Sequence, residues 1–285
     1  MNLVMPISYL LPLPNITAMH LQIEHHTEYH YETSVRYSIQ ELRLKPPNSQ
    51  GQSIKNWKIF TPIKTKTNQD AFGNEYQTFV QDTPYKSMSI SAKGEVISTG
   101  GYEYTDLDSA VSPYYLLQQT RLTLPSPEMM TYFEKTLPKK AGLDSVLELA
   151  SAIRNTITYQ SGITNFATTA MQSFAMKTGV CQDHSHIMLS LCRAANIPAR
   201  YVSGYFFAED SPNLASHAWV DICTDIDKAK WLSVDVTHAC ITDNRHIRLA
   251  IGRDYYSAAP IKGIRSGGGQ EELSARISIH QTKVL

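Results

Sequence analysis

Along residues 21–31 the odd positions (Leu21, Ile23, Thr27, Tyr29, Tyr31) are mostly apolar or β-forming and the even ones mostly polar. That period of two predicts a half-buried strand. Short β-like runs follow at 37–44, 57–61, 76–80, 88–92 and 96–98, separated by turn signals at Pro46-Pro47-Asn48, Phe72-Gly73-Asn74 and Lys93-Gly94. No helical period occurs before about residue 110, so residues 19–107 predict an N-terminal antiparallel β-sandwich domain.

The period then changes to that of helices. Val146, Leu149, Ala150, Ile153 and Ile157 share one face of a helix over 144–157, with Asp144 as its N-cap. A second helix opens abruptly at Cys181 behind Gly179 and carries Ile187, Met188, Leu191, Cys192 and Ala195 on its apolar face. It stops at Asn196, ahead of Pro198. Strand-like segments at 199–207, 217–223 and 231–236 come next. Helices followed by antiparallel strands predict an α+β domain over 108–285, with a linker near 106–113. Residues 1–18, apolar but interrupted by prolines, read as a poorly ordered extension, and Met19 stands as a second candidate start.

Composition narrows the classes of function. The 285 residues suffice for two domains with real cores, and 26 basic residues balance 26 acidic ones, which argues against nucleic-acid or polybasic membrane partners. No run of about 18 apolar residues occurs, so no spanning helix is predicted. The four cysteines (Cys181, Cys192, Cys223, Cys240) make no disulfide framework in a chain of this length, which points to a reducing cytoplasm.

Candidate chemistry gathers at three places. Cys181 lies at a predicted helix start, where free N–H groups and the positive end of the macrodipole favour a thiolate. In 217–222 alternation puts His217, Trp219 and Asp221 on one strand face, and in 231–237 it puts Asp235 with Ser233 and Thr237. If the two strands pair as a hairpin, His217 lies opposite Asp235, the more natural pairing, or diagonal to it. A thiol, an imidazole and a carboxylate are the parts needed for nucleophile, base and orienter.

Gly179-Val180-Cys181-Gln182-Asp183, Ser216-His217-Ala218-Trp219-Val220 and Val234-Asp235-Val236-Thr237 resemble the three core motifs of the bacterial transglutaminase-like superfamily, and the stretch 196–205 is similar to its linking segment. His246-Ile247-Arg248 and Gly252-Arg253-Asp254-Tyr255 extend the likeness. His26-Thr27-Glu28-Tyr29-His30-Tyr31, Leu42-Arg43-Leu44-Lys45-Pro46 and Asp70-Ala71-Phe72-Gly73-Asn74 resemble the β-domain that precedes that core. The resemblance implies a papain-like catalytic core with Cys181 as nucleophile, His217 as general base and acid, and Asp235 as orienting carboxylate. It implies no cofactor. The activity it implies is acyl transfer on an amide or peptide substrate through a thioester, with hydrolysis favoured and transamidation as the alternative. His184 departs from the family pattern, which carries an aromatic or apolar residue there, and Val236 replaces its usual proline.

Plainer roles compete with these. A non-catalytic peptide-binding module could retain the same fold. Cys192 falls on the apolar stripe of its helix and reads as core, and Cys223 and Cys240 read as inert or exposed thiols. Cys181, His184, His186 and Cys192 spread around one helix, a poor arrangement for a single metal ion, so no metal is expected and His186 reads as a packing or supporting histidine. Asp183 reads as a helix-start residue, Trp219 as either a cleft wall or a filler between domains, and Gly267-Gly268-Gly269 as no phosphate loop.

Overall fold

The computed structural model describes residues 18–107, 109–209 and 216–282; the extension expected at 1–18 lies almost wholly outside them. The first element, β1 (Met19–Leu42), is a single strand of 24 residues whose buried positions are odd from Leu21 to Val35 and even from Ser38 to Leu42; register shifts between His30 and Tyr37 change the phase without ending the strand. Around it stand β2 (Gln52–Phe60), β3 (Lys66–Gln69), β4 (Glu75–Gln81) and β5 (Tyr85–Ser98) in the order β2-β5-β1-β4-β3, all antiparallel. The turn predicted at Lys93-Gly94 is instead the interior of β5, where Gly94 pairs with Ile23. A side chain at Gly94 would come within 2.7 Å of the Trp57 backbone, so close approach, not a turn, explains the glycine. The linker begins with β6 (Glu103–Thr105), which pairs with a strand of the second unit.

That unit opens with α1 (Pro127–Phe133) and α2 (Leu143–Thr156), where Gly142 holds the N-cap position expected for Asp144. Then come β7 (Thr158–Tyr159), α3 (Ala170–Met176), β8 (Thr178–Gly179) and α4 (Cys181–Ala194). Asn196 adopts the left-handed conformation (φ 61°) that ends α4 where the sequence predicts. Strands β9 (Ala199–Phe206), β10 (Ser216–Asp225), β11 (Lys230–Asp235), β12 (Cys240–Ile241) and β13 (His246–Gly252) form the second sheet in the order β12-β11-β10-β9-β13. Its inner face, through Ala199, Tyr201, Ala218, Val220, Ile222, Leu232 and Val234, packs on Ile187, Met188 and Leu191 of α4 and on Val146, Leu149 and Ile153 of α2.

After α5 (Tyr255–Ala258) the chain leaves the catalytic unit predicted for 108–285. Strands β14 (Ile261–Gly267) and β15 (Glu271–Gln281) hydrogen-bond to β1 and complete a seven-stranded sheet. Both present mostly exposed positions, so no alternation marks them in the sequence; Ile277 and Ile279 of β15 are buried.

The two units are joined at β13, the edge of the second sheet. The Gln52 side chain accepts from Arg248 N–H (2.8 Å) and donates to Arg248 C=O (3.0 Å), as a neighbouring strand would. Asn74 does the same at Ile251 (2.9 and 2.8 Å), and its amide is held in turn by Asp70. Buried backbone groups on this edge thereby find partners without a further strand. Phe72, from the same turn, packs with Trp219, Val202 and Ile251, which makes Trp219 a filler between the units.

Candidate active site

Cys181 is placed by the segment that leads into α4. Strands β7 and β8 pair in parallel, setting Tyr159 beside Gly179. A side chain at Gly179 would lie 2.6 Å from Asp183 Cβ and 2.7 Å from Ser173 Oγ, so only glycine lets the chain enter the helix here. Asp183 Oδ2 accepts from Val180 N–H (2.8 Å) and from the Thr164 hydroxyl (2.7 Å), which satisfies a free donor at the helix start and ties it to the neighbouring loop. Burial raises the Asp183 carboxyl above its ordinary range. Cys181 itself is partly exposed and heads the helix, with its own N–H free of an intrahelical partner.

His217 and Asp235 come together across the antiparallel pair β10–β11. Val220 faces Val234, so Asp235 stands beside Trp219 and His217 is its diagonal neighbour, not its direct one. The imidazole spans the diagonal: His217 Nε2 lies 2.7 Å from Asp235 Oδ2. Its other nitrogen, Nδ1, takes no part in that bond, and the Cys181 side chain neighbours the ring. Burial works against charge on this ring, but the adjacent Asp235 carboxylate overrides it and lifts His217 to about 10. Asp235 is fully buried; burial opposes its charge too, and His217 with the other rings around it holds the carboxyl far below the usual range.

The sequence reading missed two of those rings. His238 Nδ1 lies 2.6 Å from Asp235 Oδ2, and His238 N–H donates to Oδ1 (3.1 Å). His246 Nε2 reaches the same Oδ2 at 3.1 Å. One carboxylate oxygen thus faces three imidazoles, with the Phe206 ring 4.8–5.3 Å from each. A histidine three residues past the aspartate and another in the 246–248 motif were the available signals; convergence over such separations has none in a single sequence.

The remaining candidates are buried, except Cys240, which is partly exposed. His184 bridges Thr237 Oγ1 (3.1 Å) and the Ile157 carbonyl (3.2 Å), fastening α4 to the end of the aspartate strand and of α2; burial lowers it to about 4, so it is neutral. His186 accepts from Tyr255 N–H (3.1 Å), and burial likewise lowers it to about 4. With different partners, they do not converge with Cys181 on an ion. Burial pushes the Cys192, Cys223 and Cys240 thiols up to about 12, 11 and 12. His217, Asp235 and His238 do bring donor atoms within 4.8 Å, close enough to gather an ion. Their N···O separations of 2.7 and 2.6 Å are hydrogen bonds already made, which an ion would have to displace.

A thiol at a helix start, facing an imidazole on an antiparallel sheet backed by a buried carboxylate, belongs to a papain-like core. Residues 131–236 match the transglutaminase-like superfamily and residues 21–97 match the bacterial transglutaminase-like N-terminal region. Uncharacterized proteins of Mycobacterium tuberculosis and Mycobacterium leprae are 28% identical over 282 residues and 27% over 277, covering 89% and 91% of this chain and 90% and 98% of theirs. A protein-glutamine gamma-glutamyltransferase of Pseudomonas aeruginosa is 32% identical over 107 residues, 33% of this chain and 16% of that one. A solved structure from Cytophaga hutchinsonii, provisionally described as a cysteine protease, has the same fold, with a TM-score of 0.75 at 22% identity over 94% of this chain and 92% of that one.

Proposed function

We propose that the protein is a cysteine-dependent acyl-transfer enzyme acting on amide or peptide bonds, with hydrolysis as its main outcome. The observation that carries this reading is the grouping of a helix-start thiol, Cys181, beside the His217 ring, whose Nε2 is bonded to the buried Asp235 carboxylate. The Cys181 sulfur attacks the carbonyl carbon, and the oxyanion forms against the free Cys181 N–H. His217 passes the Nδ1 proton to the leaving amine as the C–N bond breaks, giving a thioester. A water then loses a proton to Nδ1 as it attacks, the C–S bond breaks, and acid and thiolate are released. Asp235 keeps its bond to Nε2 throughout and holds the ring's orientation.

Water is favoured as second nucleophile because Tyr159 of β7 and Ile163 and Phe166 of the loop that follows it are more than half exposed. Aminolysis needs a site that excludes water. Transamidation is the second reading, favoured by the local likeness to the Pseudomonas glutamyltransferase. Mass spectrometry of a peptide library incubated with the protein and a primary amine separates the two. Free carboxylates are expected as the main products; amine adducts in excess would reverse the assignment.

The thiol can be tested without a substrate. At pH 6 iodoacetamide is expected to label Cys181 at least about a hundredfold faster than Cys192, Cys223 or Cys240, whose raised pKa values leave them protonated. Uniformly slow labelling of all four cysteines would leave only the non-catalytic binding module.

A further inference from the structure

Asp235 needs more than His217 to hold it, and the structure shows where that support originates. His246 is nearly inaccessible and donates from Nε2 to Asp235 Oδ2, while its Nδ1 accepts from Asp243 N–H (3.1 Å). Asp243 Oδ1 also lies 3.1 Å from Nδ1, and the carboxylate is fixed by Arg245. Because the partner of Nε2 is a carboxylate, Nε2 carries the hydrogen in either protonation state. The other charged or titratable groups around Asp235 are His217, His238, Cys240, Arg245 and, from α4, His184.

His246 is the first residue of β13, the edge strand that the N-terminal sheet grips at Arg248 and Ile251 through Gln52 and Asn74. A cavity of about 660 Å³ between the two units is lined by Gln52, Asn74, Trp219 and His246 but not by Cys181 or His217, so this junction lies behind the triad. Among the described residues no further strand of the second sheet borders β13, and Ile247 and Leu249 of β13 also pack with Leu21, Ile23 and Val96 of the N-terminal sheet. The N-terminal unit is thus two residues away from a side chain bonded to the triad carboxylate.

We propose that His246 is a positioning residue for Asp235, and that the N-terminal β-sheet sets it in place by gripping β13 at Gln52 and Asn74. This rests on the catalytic reading above and gives the N-terminal unit a task in it: to complete the support of the triad. Loss of the Nε2–H bond frees the carboxylate to turn from His217, which weakens the imidazolium and with it the thiolate partner.

The test is the rate of Cys181 alkylation by iodoacetamide from pH 5 to 9, in the full chain. His246→Leu is expected to slow labelling about tenfold at pH 6 and move the titration upward by about one unit, whereas His246→Gln, which keeps a donor near the Nε2 position, retains most of the wild-type profile. Gln52→Ala combined with Asn74→Ala leaves His246 intact and is expected to shift the profile in the same direction by a smaller amount. An unchanged profile in folded His246→Leu, or equal loss in the Leu and Gln variants, overturns the role of His246. An unchanged profile in the Gln52/Asn74 variant overturns the role of the N-terminal sheet, and decides the matter alone if His246→Leu does not fold. Wild-type Cys181 labelling no faster than Cys240 would instead sink the catalytic reading itself.

Discussion

Cys181→Ala and His217→Ala are each expected to lower turnover on the order of 10⁴-fold or more, and the double variant to lose little beyond either single one. The reason is that the two act as one unit: without the sulfur there is no acyl acceptor, and without the ring the sulfur has no proton partner and the leaving amine no acid. Both substitutions should be tolerated by the fold, since Cys181 is small and partly exposed and His217 packs at the end of β10. Circular dichroism and thermal unfolding check that, and the rate on a peptide found by the product analysis supplies the measurement. Full activity in Cys181→Ala would end the mechanism. Asp235→Asn should act mainly through ring orientation and so lose less than either, while keeping the buried site filled.

The pH dependence follows from the same ring. Folding raises the proton affinity of His217 from 6.5 to about 10. Its contribution to stability is therefore fully present below about 6.5 and is lost as pH rises through about 10. Turnover should fall over that same alkaline limb, where the ring can no longer protonate the leaving amine, and His217→Ala should lack the limb.

Where one side of an element is buried, its hydrophobic period revealed it. The apolar stripes of α2 and α4, and the alternation in β9, β10 and β11, are direct consequences of packing on a single core, and that alternation alone puts His217 and Asp235 on one face of the sheet. What it could not fix was register, because direct and diagonal pairing obey the same alternation; the Val220–Val234 pair decides it. Strands β14 and β15 escaped for the opposite reason: lying along β1 with mostly exposed side chains, they carry backbone pairing with little buried face, only Ile277 and Ile279 of β15 reaching a core. The supporting histidines escaped because His246 reaches Asp235 only through the order of strands in a folded sheet. Asp70, Gln52 and Asn74 act through side chains that imitate backbone, a role without periodicity.

Asp221 lies on the same face as His217, yet its removal is expected to cost stability on the order of 3–5 kcal/mol and to leave Cys181 chemistry largely intact in the protein that remains folded. It is wholly buried and receives Arg248 Nη1 and Nη2 (2.6 and 2.9 Å), Arg200 Nε (3.1 Å), the Ser233 hydroxyl (2.7 Å) and the Tyr104 hydroxyl. Burial opposes its charge, and Arg248 with Arg200 overrides that and holds the carboxyl well below its ordinary range. Asp221→Ala would leave two buried guanidinium groups with Asp106 as the remaining carboxylate on Arg200 (2.7 Å), so the cost comes from uncompensated charge more than from lost contacts. Urea unfolding at pH 7 measures it, with Asp225→Ala, whose partner Lys228 is exposed, as a control expected to show no measurable change. Because folding depresses the Asp221 pKa, its contribution is present above the free carboxylate range and lost only as pH falls into strong acid. An Asp221→Ala protein as stable as wild type would mean that water reaches this cluster. Since Tyr104 belongs to β6, such a result would also mean that the linker strand is not anchored through Asp221.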